Sequence, residues 1–314
     1  MNPPIESVTV VGAGAVGSFF GAMLARAGHR VTLVGRAAHV DAIRRDGLQL
    51  QMGGRTDTVR LRATTSLDAV RDADLVLFCV KSTDTEPVAR DLAPLLAPGA
   101  LVLSLQNGVE NAAALARHLT QAIVPAVVYV ATSMPAPGAV AHHGRGDLVI
   151  GAFGADANAP ASARLQQLVE LFASARVPVR ISPDVMAELW SKLMVNCAYN
   201  AVSGLAQAPY AALAALPAVV ELQQAVVHEV VALARAEGVG LPLEASLEAV
   251  AHIATAMPAQ HSSTAQDMAR RRPSEIDHLN GFVARRGREL GVPTPVNQAL
   301  WALVKLVESG WARA

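Results

Sequence analysis

Only two cysteines occur among the 314 residues, Cys79 and Cys197, and both lie inside apolar segments. With no Cys-x-x-Cys spacing, a disulfide framework and a zinc-thiolate cluster are excluded and a reducing cytoplasm is the expected setting. Net charge is equally scarce. Lys plus Arg and Asp plus Glu both number 26, which leaves no field to hold a nucleic-acid backbone or an anionic membrane surface. A small-molecule partner is the expectation. Long apolar runs are missing too: stretches such as Ala211 to Val220 fall far short of the roughly 20 residues a membrane helix needs. Met1 to Ser7 has no basic segment leading into an apolar one, so no signal peptide is expected. The histidines show no ligand spacing; His142 and His143 are adjacent in an expected strand and point to opposite faces, so no metal site is expected. A Gly-x-Ser-x-Gly nucleophile elbow is also lacking.

What is present is apolar surface: 52% hydrophobic residues against 17% charged ones offset chain entropy along the whole length. The length suits two domains. Up to about Arg180, short β-branched runs alternate with helical patterns: Val8 to Val11, Val31 to Val34, Leu75 to Val80, Leu101 to Leu105 and Ile123 to Val130. That rhythm predicts an α/β fold with a doubly wound parallel sheet. Gly47 to Leu61 and Ala139 to Phe153 read as hairpin or edge-strand material, with turn formers at Gly53-Gly54 and Pro135 to Gly138. After Pro183 the strand signal ends. Helical spacing then runs to the C-terminus, punctuated by Pro209, Pro217, Pro242, Pro258, Pro273 and Pro293. Ser182-Pro183-Asp184 is the expected junction between a dinucleotide-binding domain, 1–181, and an all-α domain, 182–314, that carries substrate and catalytic groups.

Gly12-Ala13-Gly14-Ala15-Val16-Gly17 follows the first strand directly and opens a helix. In that context the first glycine permits a tight turn, the second lets a pyrophosphate approach the backbone, and the third lets helix and strand pack; the helix N-terminus faces the phosphates. An NAD site usually places an acid about 20 residues on. Here no acid occurs between Glu6 and Asp41, and Val34-Gly35-Arg36 puts a guanidinium at the end of the second strand, so NADPH is favoured. Lys81, just past the strand from Leu75, offers a second positive contact. For both cations the competing reading is a solvated surface charge. Asn107-Gly108 follows the strand Leu101 to Leu105 at the sheet edge where a nicotinamide would end, and reads equally as a plain turn.

Hydride addition to a ketone requires an acid and hydrogen-bond donors at the developing oxyanion. Lys192, Asn196 and Asn200 stand at i, i+4 and i+8 among apolar neighbours, a stripe along one helix face that a ligand would explain. Burial would lower the lysine pKa and suit it to proton donation, so Lys192 is the expected general acid; the alternative is a solvated helix face. Ser274 with Asp277 reads as a capping pair for a helix running through Phe282, which on the residues alone gives Glu275 a dipole role in the first turn.

Gly12-x-Gly14-x-x-Gly17, Cys79-Val80-Lys81, Gln106-Asn107-Gly108, Lys192-Leu193-x-x-Asn196-x-x-x-Asn200 and Ser274-Glu275-Ile276-Asp277-x-x-Asn280-Gly281 together resemble the ketopantoate reductase (2-dehydropantoate 2-reductase) family over almost the whole chain. The resemblance implies an N-terminal Rossmann domain, a helical C-terminal domain, and NADPH-dependent reduction of 2-dehydropantoate to pantoate on the route to coenzyme A. It implies that Lys192 donates the proton, Glu275 binds a substrate hydroxyl and aids catalysis, and Asn107 positions the reacting group. Asn196 and Asn200 would contact substrate, Ser263 its carboxylate, and Arg36 with Lys81 the 2′-phosphate. The chain departs from the family pattern at Tyr210, at Gln260-His261, and at Ser274, where Thr is usual. Reduction of another 2-keto acid or turnover of a β-hydroxy acid on the same scaffold is the nearest alternative. A non-catalytic NADPH sensor is the alternative from a different class. The oligomeric state stays open, a homodimer among the options.

Overall fold

The structure, a computed structural model, describes residues 4–154 and 163–311. It divides into two compact units, Met1–Val185 and Met186–Ala314. Among its described residues the first is built on ten strands: β1 Ser7–Val11, β2 Arg30–Val34, β3 Leu48–Met52, β4 Arg55–Val59, β5 Arg62–Thr64, β6 Leu75–Phe78, β7 Leu101–Ser104, β8 Ala122–Ser133, β9 Ala139–Ile150 and β10 Val179–Ile181. Interleaved with them are α1 Ala15–Arg26, α2 Ala37–Asp46, α3 Thr85–Leu92, α4 Asn111–Ala116 and α5 Ala163–Ser174.

From β5 through β2, β1, β6 and β7 to β8 every pairing is parallel. This is the doubly wound order in which the chain starts in the middle of the sheet and reverses direction beside β1. The central strands β6 and β7 are buried throughout and read as apolar runs, broken only by Ser104, because both faces of the sheet are covered. Val10, Leu33, Leu77 and Leu103 pack with Phe20 and Leu24 of α1, Ile43 of α2 and Phe172 of α5. Val11, Val76, Phe78 and Val102 pack with Leu92 of α3 and Leu115 of α4 on the other face. Full burial of each such Leu or Phe contributes about 1.5–3 kcal/mol.

Of the two readings given for Ala139 to Phe153, the hairpin holds and the edge strand does not: β9 pairs antiparallel with β8 across the Pro135 to Gly138 turn and lies inside the sheet, parallel to β3 and β10. Long β8 makes this possible by pairing with β7 through Ala122 to Pro125 and with β9 from Ala126 onward. Pro125 stands at the handover, where a missing amide costs the ladder little. The stretch after Leu61 also forms a strand, β5, which extends the parallel sheet beside β2. The Gly53-Gly54 hairpin joins β3 and β4 as read, both glycines having positive φ.

A buried histidine ties three elements of this unit. His39 on α2 is 5% exposed; its Nδ1 accepts from the Gly138 amide at 2.8 Å and its Nε2 lies 3.1 Å from Ser18 Oγ on α1. An accepting Nδ1 places the ring proton on Nε2, which then donates to Ser18. Burial lowers the imidazole pKa from the ordinary 6.5. Protonation is therefore resisted by the folded state and open to the unfolded one, so stability is complete above about pH 6.5 and falls as the pH drops below it. Urea midpoints at pH 8, 6.5 and 5 should show this loss in the native chain and much less of it in His39→Gln. Equal slopes in both proteins would remove His39 as the cause.

The second unit is helical among its described residues: α6 Val185–Ala206, which begins at the boundary, α7 Tyr210–Ala214, α8 Pro217–Ala236, α9 Leu243–Ala256, α10 Ser263–Ala269, α11 Asn280–Leu290 and α12 Pro295–Trp311. Pro209 and Pro242 are N-cap residues and Pro217 opens α8, positions where proline sacrifices no intrahelical bond. Val226, Val230 and Leu233 of α8, Leu193 and Met194 of α6, and Val283 and Val304 are buried. Asn280 at the start of α11 donates to Asn297 Oδ1 of α12 at 2.9 Å and to the Cys197 carbonyl of α6 at 3.0 Å. Glu229 of α8 accepts from the Asn297 side chain at 2.7 Å. No helix of the described residues is long and apolar enough to cross a membrane.

Candidate active site

In the first unit the register aligns Val34, Val11, Phe78 and Ser104 in one row across β2, β1, β6 and β7. Their next residues therefore emerge side by side at the carboxyl edge of the sheet, where doubly wound folds bind ligands. Gly12 is at the centre. Its amide and that of Ala13 donate to the Val34 carbonyl at 3.1 and 2.9 Å. On its other side a Cβ would fall 2.6 Å from Val80 N and 2.7 Å from the Cys79 carbonyl carbon, and its φ is +99°. No side chain fits there. A Cβ on Gly17 would collide with the Gly12 carbonyl and come within 2.8 Å of Val10 Cγ1, whereas one on Gly14 would meet nothing within 4 Å. The turn is closed behind and open in front. Gly14 caps α1 without a side-chain bond and the first turn holds no acid, so the amides of Ala15 and Val16 keep their donor capacity and the positive helix end is unopposed.

Arg36 follows β2 as the N-cap residue of α2 and is exposed. Lys81 follows β6 at the head of a short 3-10 turn, Ser82–Asp84, and is also exposed. With strands about 4.8 Å apart, these two loops flank the glycine turn at roughly 10 Å from each other. Amides, guanidinium and ammonium form a donor set suited to an anionic dinucleotide.

Asn107 is half-buried and begins the loop that Gly108, at φ +90°, turns back. Its carbonyl accepts from Asn111 Nδ2 at 2.6 Å and Ser82 Oγ at 3.1 Å. A buried network extends from there. Gln106 donates to the Val80 carbonyl at 3.0 Å and to Thr85 Oγ1 at 2.7 Å, accepts from Ser104 at 3.0 Å, and Thr85 donates to Asn111 Oδ1 at 2.9 Å. The Lys81 and Asn107 loops are thus locked to one another. Sequence reading gave Gln106, Thr85 and Asn111 no role; the available signal was a set of uncharged polar residues bordering fully apolar strands, which must find partners when buried. Burial pushes the thiol pKa of Cys79 up, which disfavours the thiolate.

In the second unit α6 carries Lys192, Asn196 and Asn200 on one face, spanning about 12 Å at 1.5 Å per residue. Lys192 and Asn196 are half-buried and Asn200 is 3% exposed, while Leu193, Met194, Cys197 and Ala198 face the core. Two further segments dock on the same helix. Ser262, the N-cap residue of α10, donates to the Asn200 carbonyl at 3.2 Å and accepts from the Ala265 amide, which sets exposed Ser263 close by. Asn280 holds the segment that follows Glu275 to the Cys197 carbonyl. Along α6, then, Ser263 follows a residue bonded to Asn200, and the segment after Glu275 is bonded to Cys197.

The capping pair expected at Ser274 and Asp277 does not form, and no helix runs from there through Phe282. Ile276–His278 is a single 3-10 turn, Leu279 breaks the path at φ −112° and ψ −107°, and α11 starts afresh at Asn280. The Asp277 carboxylate instead accepts from Trp301 and Lys305 of α12. Tyr210 is buried, its ring centroid 4.6 Å from that of Tyr199, and burial followed by the neighbouring Tyr199 pushes its phenol up to about 12. Its hydroxyl is a core group. His142 stacks on Phe19, and His143 bonds Ser133 at 2.8 Å; among the described residues no cluster of His, Cys, Asp or Glu is placed to hold a metal ion.

Two family profiles match most of the chain. The profile described as Ketopantoate reductase PanE/ApbA matches residues 8–155, and that of its C-terminal domain matches 184–308. A 2-dehydropantoate 2-reductase of Vibrio cholerae is 34% identical over 98% of this chain and 100% of its own length. The crystal structure of a PanE/ApbA family ketopantoate reductase from Ralstonia eutropha superimposes with a TM-score of 0.89 at 50% identity, covering 97% of this chain and 99% of the other. D-mandelate dehydrogenase, solved with NADH and anilino(oxo)acetate, shares the fold at TM-score 0.90 and 24% identity, covering 97% and 98%.

Proposed function

This chain belongs to the ketopantoate reductase family, and on that premise we propose that it reduces 2-dehydropantoate to pantoate with NADPH in the cytoplasm, a step of pantothenate and coenzyme A biosynthesis. Membership makes it a nicotinamide-dependent oxidoreductase. The observation that carries the choice of NADPH is the glycine turn, sterically closed at Gly12 and Gly17, open at Gly14, flanked by Arg36 and Lys81 and lacking any acid from Ser7 to Val40. A diphosphate suits the α1 amides, and the 2′-phosphate suits Arg36 with Lys81. Asn107, on its locked loop, would help position the nicotinamide and the reacting group.

When bound, the dinucleotide supplies the hydride that adds to the keto carbon. The charge developing on the carbonyl oxygen needs a proton, and the Lys192 ammonium gives it, leaving a neutral amine that is reprotonated from solvent. Asn196 and Asn200 donate hydrogen bonds to the substrate, Ser263 binds its carboxylate, and Glu275 accepts from a substrate hydroxyl and so fixes which carbon is presented. These roles rest on the motif match to the family, on the single face of α6 that Lys192, Asn196 and Asn200 share, and on the bond of Ser262, next to Ser263, to Asn200.

The test is steady-state oxidation of NADPH and NADH by the purified chain with 2-dehydropantoate and a panel of other 2-keto acids. The highest kcat/KM is expected for NADPH with 2-dehydropantoate. Turnover confined to a different 2-keto acid would overturn the substrate. Tight NADPH binding with no turnover of any would leave a sensor.

A further inference from the structure

Glu275 sits in a segment that cannot hold its own shape. Pro273 to Leu279 contains one 3-10 turn, Glu275 itself lies at φ −92° and ψ 23°, and Leu279 interrupts the path into α11. A lone 3-10 turn has few bonds and poor hydrogen-bond geometry, so the direction of a side chain there must be imposed from outside.

We propose that Trp301, Lys305 and Glu308 of α12 are positioning residues that clamp the segment on both sides of Glu275 and aim its carboxylate at the substrate, an inference that rests on the substrate role given to Glu275 above. The three stand at i, i+4 and i+7, one face of α12. Before Glu275, the amide and the hydroxyl of Ser274 both donate to Glu308 Oε1, at 2.8 and 2.6 Å, and the Ser274 hydroxyl accepts from the Ile276 amide at 3.3 Å. After it, Asp277 Oδ1 accepts from Trp301 Nε1 at 2.7 Å and Oδ2 from Lys305 Nζ at 2.8 Å. Lys305 joins the two halves, its ammonium also lying 3.4 Å from Glu308 Oε2. Arg285 donates to the Asp277 carbonyl at 2.9 Å. Gly281 lets the indole approach: a Cβ there would fall 2.9 Å from Trp301 Nε1.

The composition of this clamp argues for positioning over bulk stability. The Glu308 side chain is only 8% exposed, and burying a carboxylate costs free energy that an apolar residue of similar size would not. What the charge adds is direction: one oxygen receives two donors from the residue adjoining Glu275. Burial opposes ionisation of Asp277, but the hydrogen bonds from Lys305 and Trp301 and the charges of Lys305 and Arg285 hold its carboxyl below the ordinary range. Asp277 therefore stays ionised through neutral pH.

The experiment is a double-mutant cycle on the full chain with NADPH and 2-dehydropantoate. Glu308→Ala should lower kcat/KM by about 10- to 100-fold, the scale of a displacement near 1 Å at a reacting group, with NADPH Kd unchanged within about twofold. Glu308→Gln, which keeps an acceptor for both Ser274 donors, should recover most of the loss. In a Glu275→Gln background the same Glu308→Ala change should cost less than about twofold, because the group it positions is already gone. Equal losses in both backgrounds would overturn the clamp and leave a general structural role. If Glu308→Ala fails to fold, Ser274→Ala against Ser274→Thr runs the same cycle, with loss expected only for the former. A Glu275→Gln protein as active as the native one would instead defeat the reading of Glu275, and the clamp with it.

Discussion

Replacing Lys192 with alanine is expected to lower kcat by about 10²- to 10⁴-fold, the range of a lost general acid, while NADPH Kd stays within about twofold of the native value. The two quantities should separate because Lys192 lies on α6 in the helical unit, whereas the glycine turn, Arg36 and Lys81 are held by strands of the Rossmann unit. The helix itself should survive. Lys192 is half-buried beside fully buried Leu193 and Met194, and alanine is the best helix former, so the substitution removes an ammonium and little packing. Lys192→Arg tests the chemistry more sharply. A guanidinium keeps the positive charge but does not release a proton near neutrality, so arginine should restore substrate affinity more than kcat. Stopped-flow oxidation of NADPH and fluorescence titration of the cofactor supply the two readings. Parallel loss of turnover and cofactor affinity would show that the lysine is structural.

The second large effect is on cofactor choice. Arg36→Ala should weaken NADPH by about 10- to 100-fold, the worth of one charge-assisted contact at 1.4 kcal/mol per factor of ten, and NADH by less than about threefold. The backbone at this position makes no demand on the side chain: Arg36 caps α2 without a side-chain bond and its φ of −72° is open to any residue. Raising the salt concentration should erode the native preference for NADPH, since the guanidinium is exposed and its attraction to a phosphate is screened. Titrations with both dinucleotides at low and high ionic strength decide the matter. A uniform loss for NADPH and NADH would mean that Arg36 supports the loop and does not read the 2′-phosphate.

Much of the candidate site was legible because its signals are short. Gly12, Gly14 and Gly17 span six residues between a strand and a helix, and the steric demands found at Gly12 and Gly17 are local to that turn. The Lys192, Asn196 and Asn200 stripe follows from helical period alone. Misreadings arose where a local pattern had a distant competitor. Ser274 and Asp277 have the spacing of a capping box, yet Glu308 is 34 residues from Ser274 and Trp301 and Lys305 are 24 and 28 from Asp277. Better donors and acceptors across the fold displaced the local pair. The Gln106 network was invisible for the same reason: its partners Val80 and Thr85 come from the neighbouring strand's loop, 26 and 21 residues earlier.

The strands show the same division. Apolar runs and their alternation with helices were enough to establish a doubly wound parallel sheet, since burial on both faces is written into each run. Sequence by itself therefore determined the fold class, the glycine turn, the absence of an acid after it, and the helix that carries Lys192, all properties of neighbouring residues and of periodicity. Only the tertiary structure decided that β9 enters the interior of the sheet, that β5 completes it, and that the segment holding Glu275 is shaped by α12. Those outcomes depend on which distant groups satisfy a hydrogen bond or an edge, a competition settled by the free energy of the whole folded chain and not by any stretch of it.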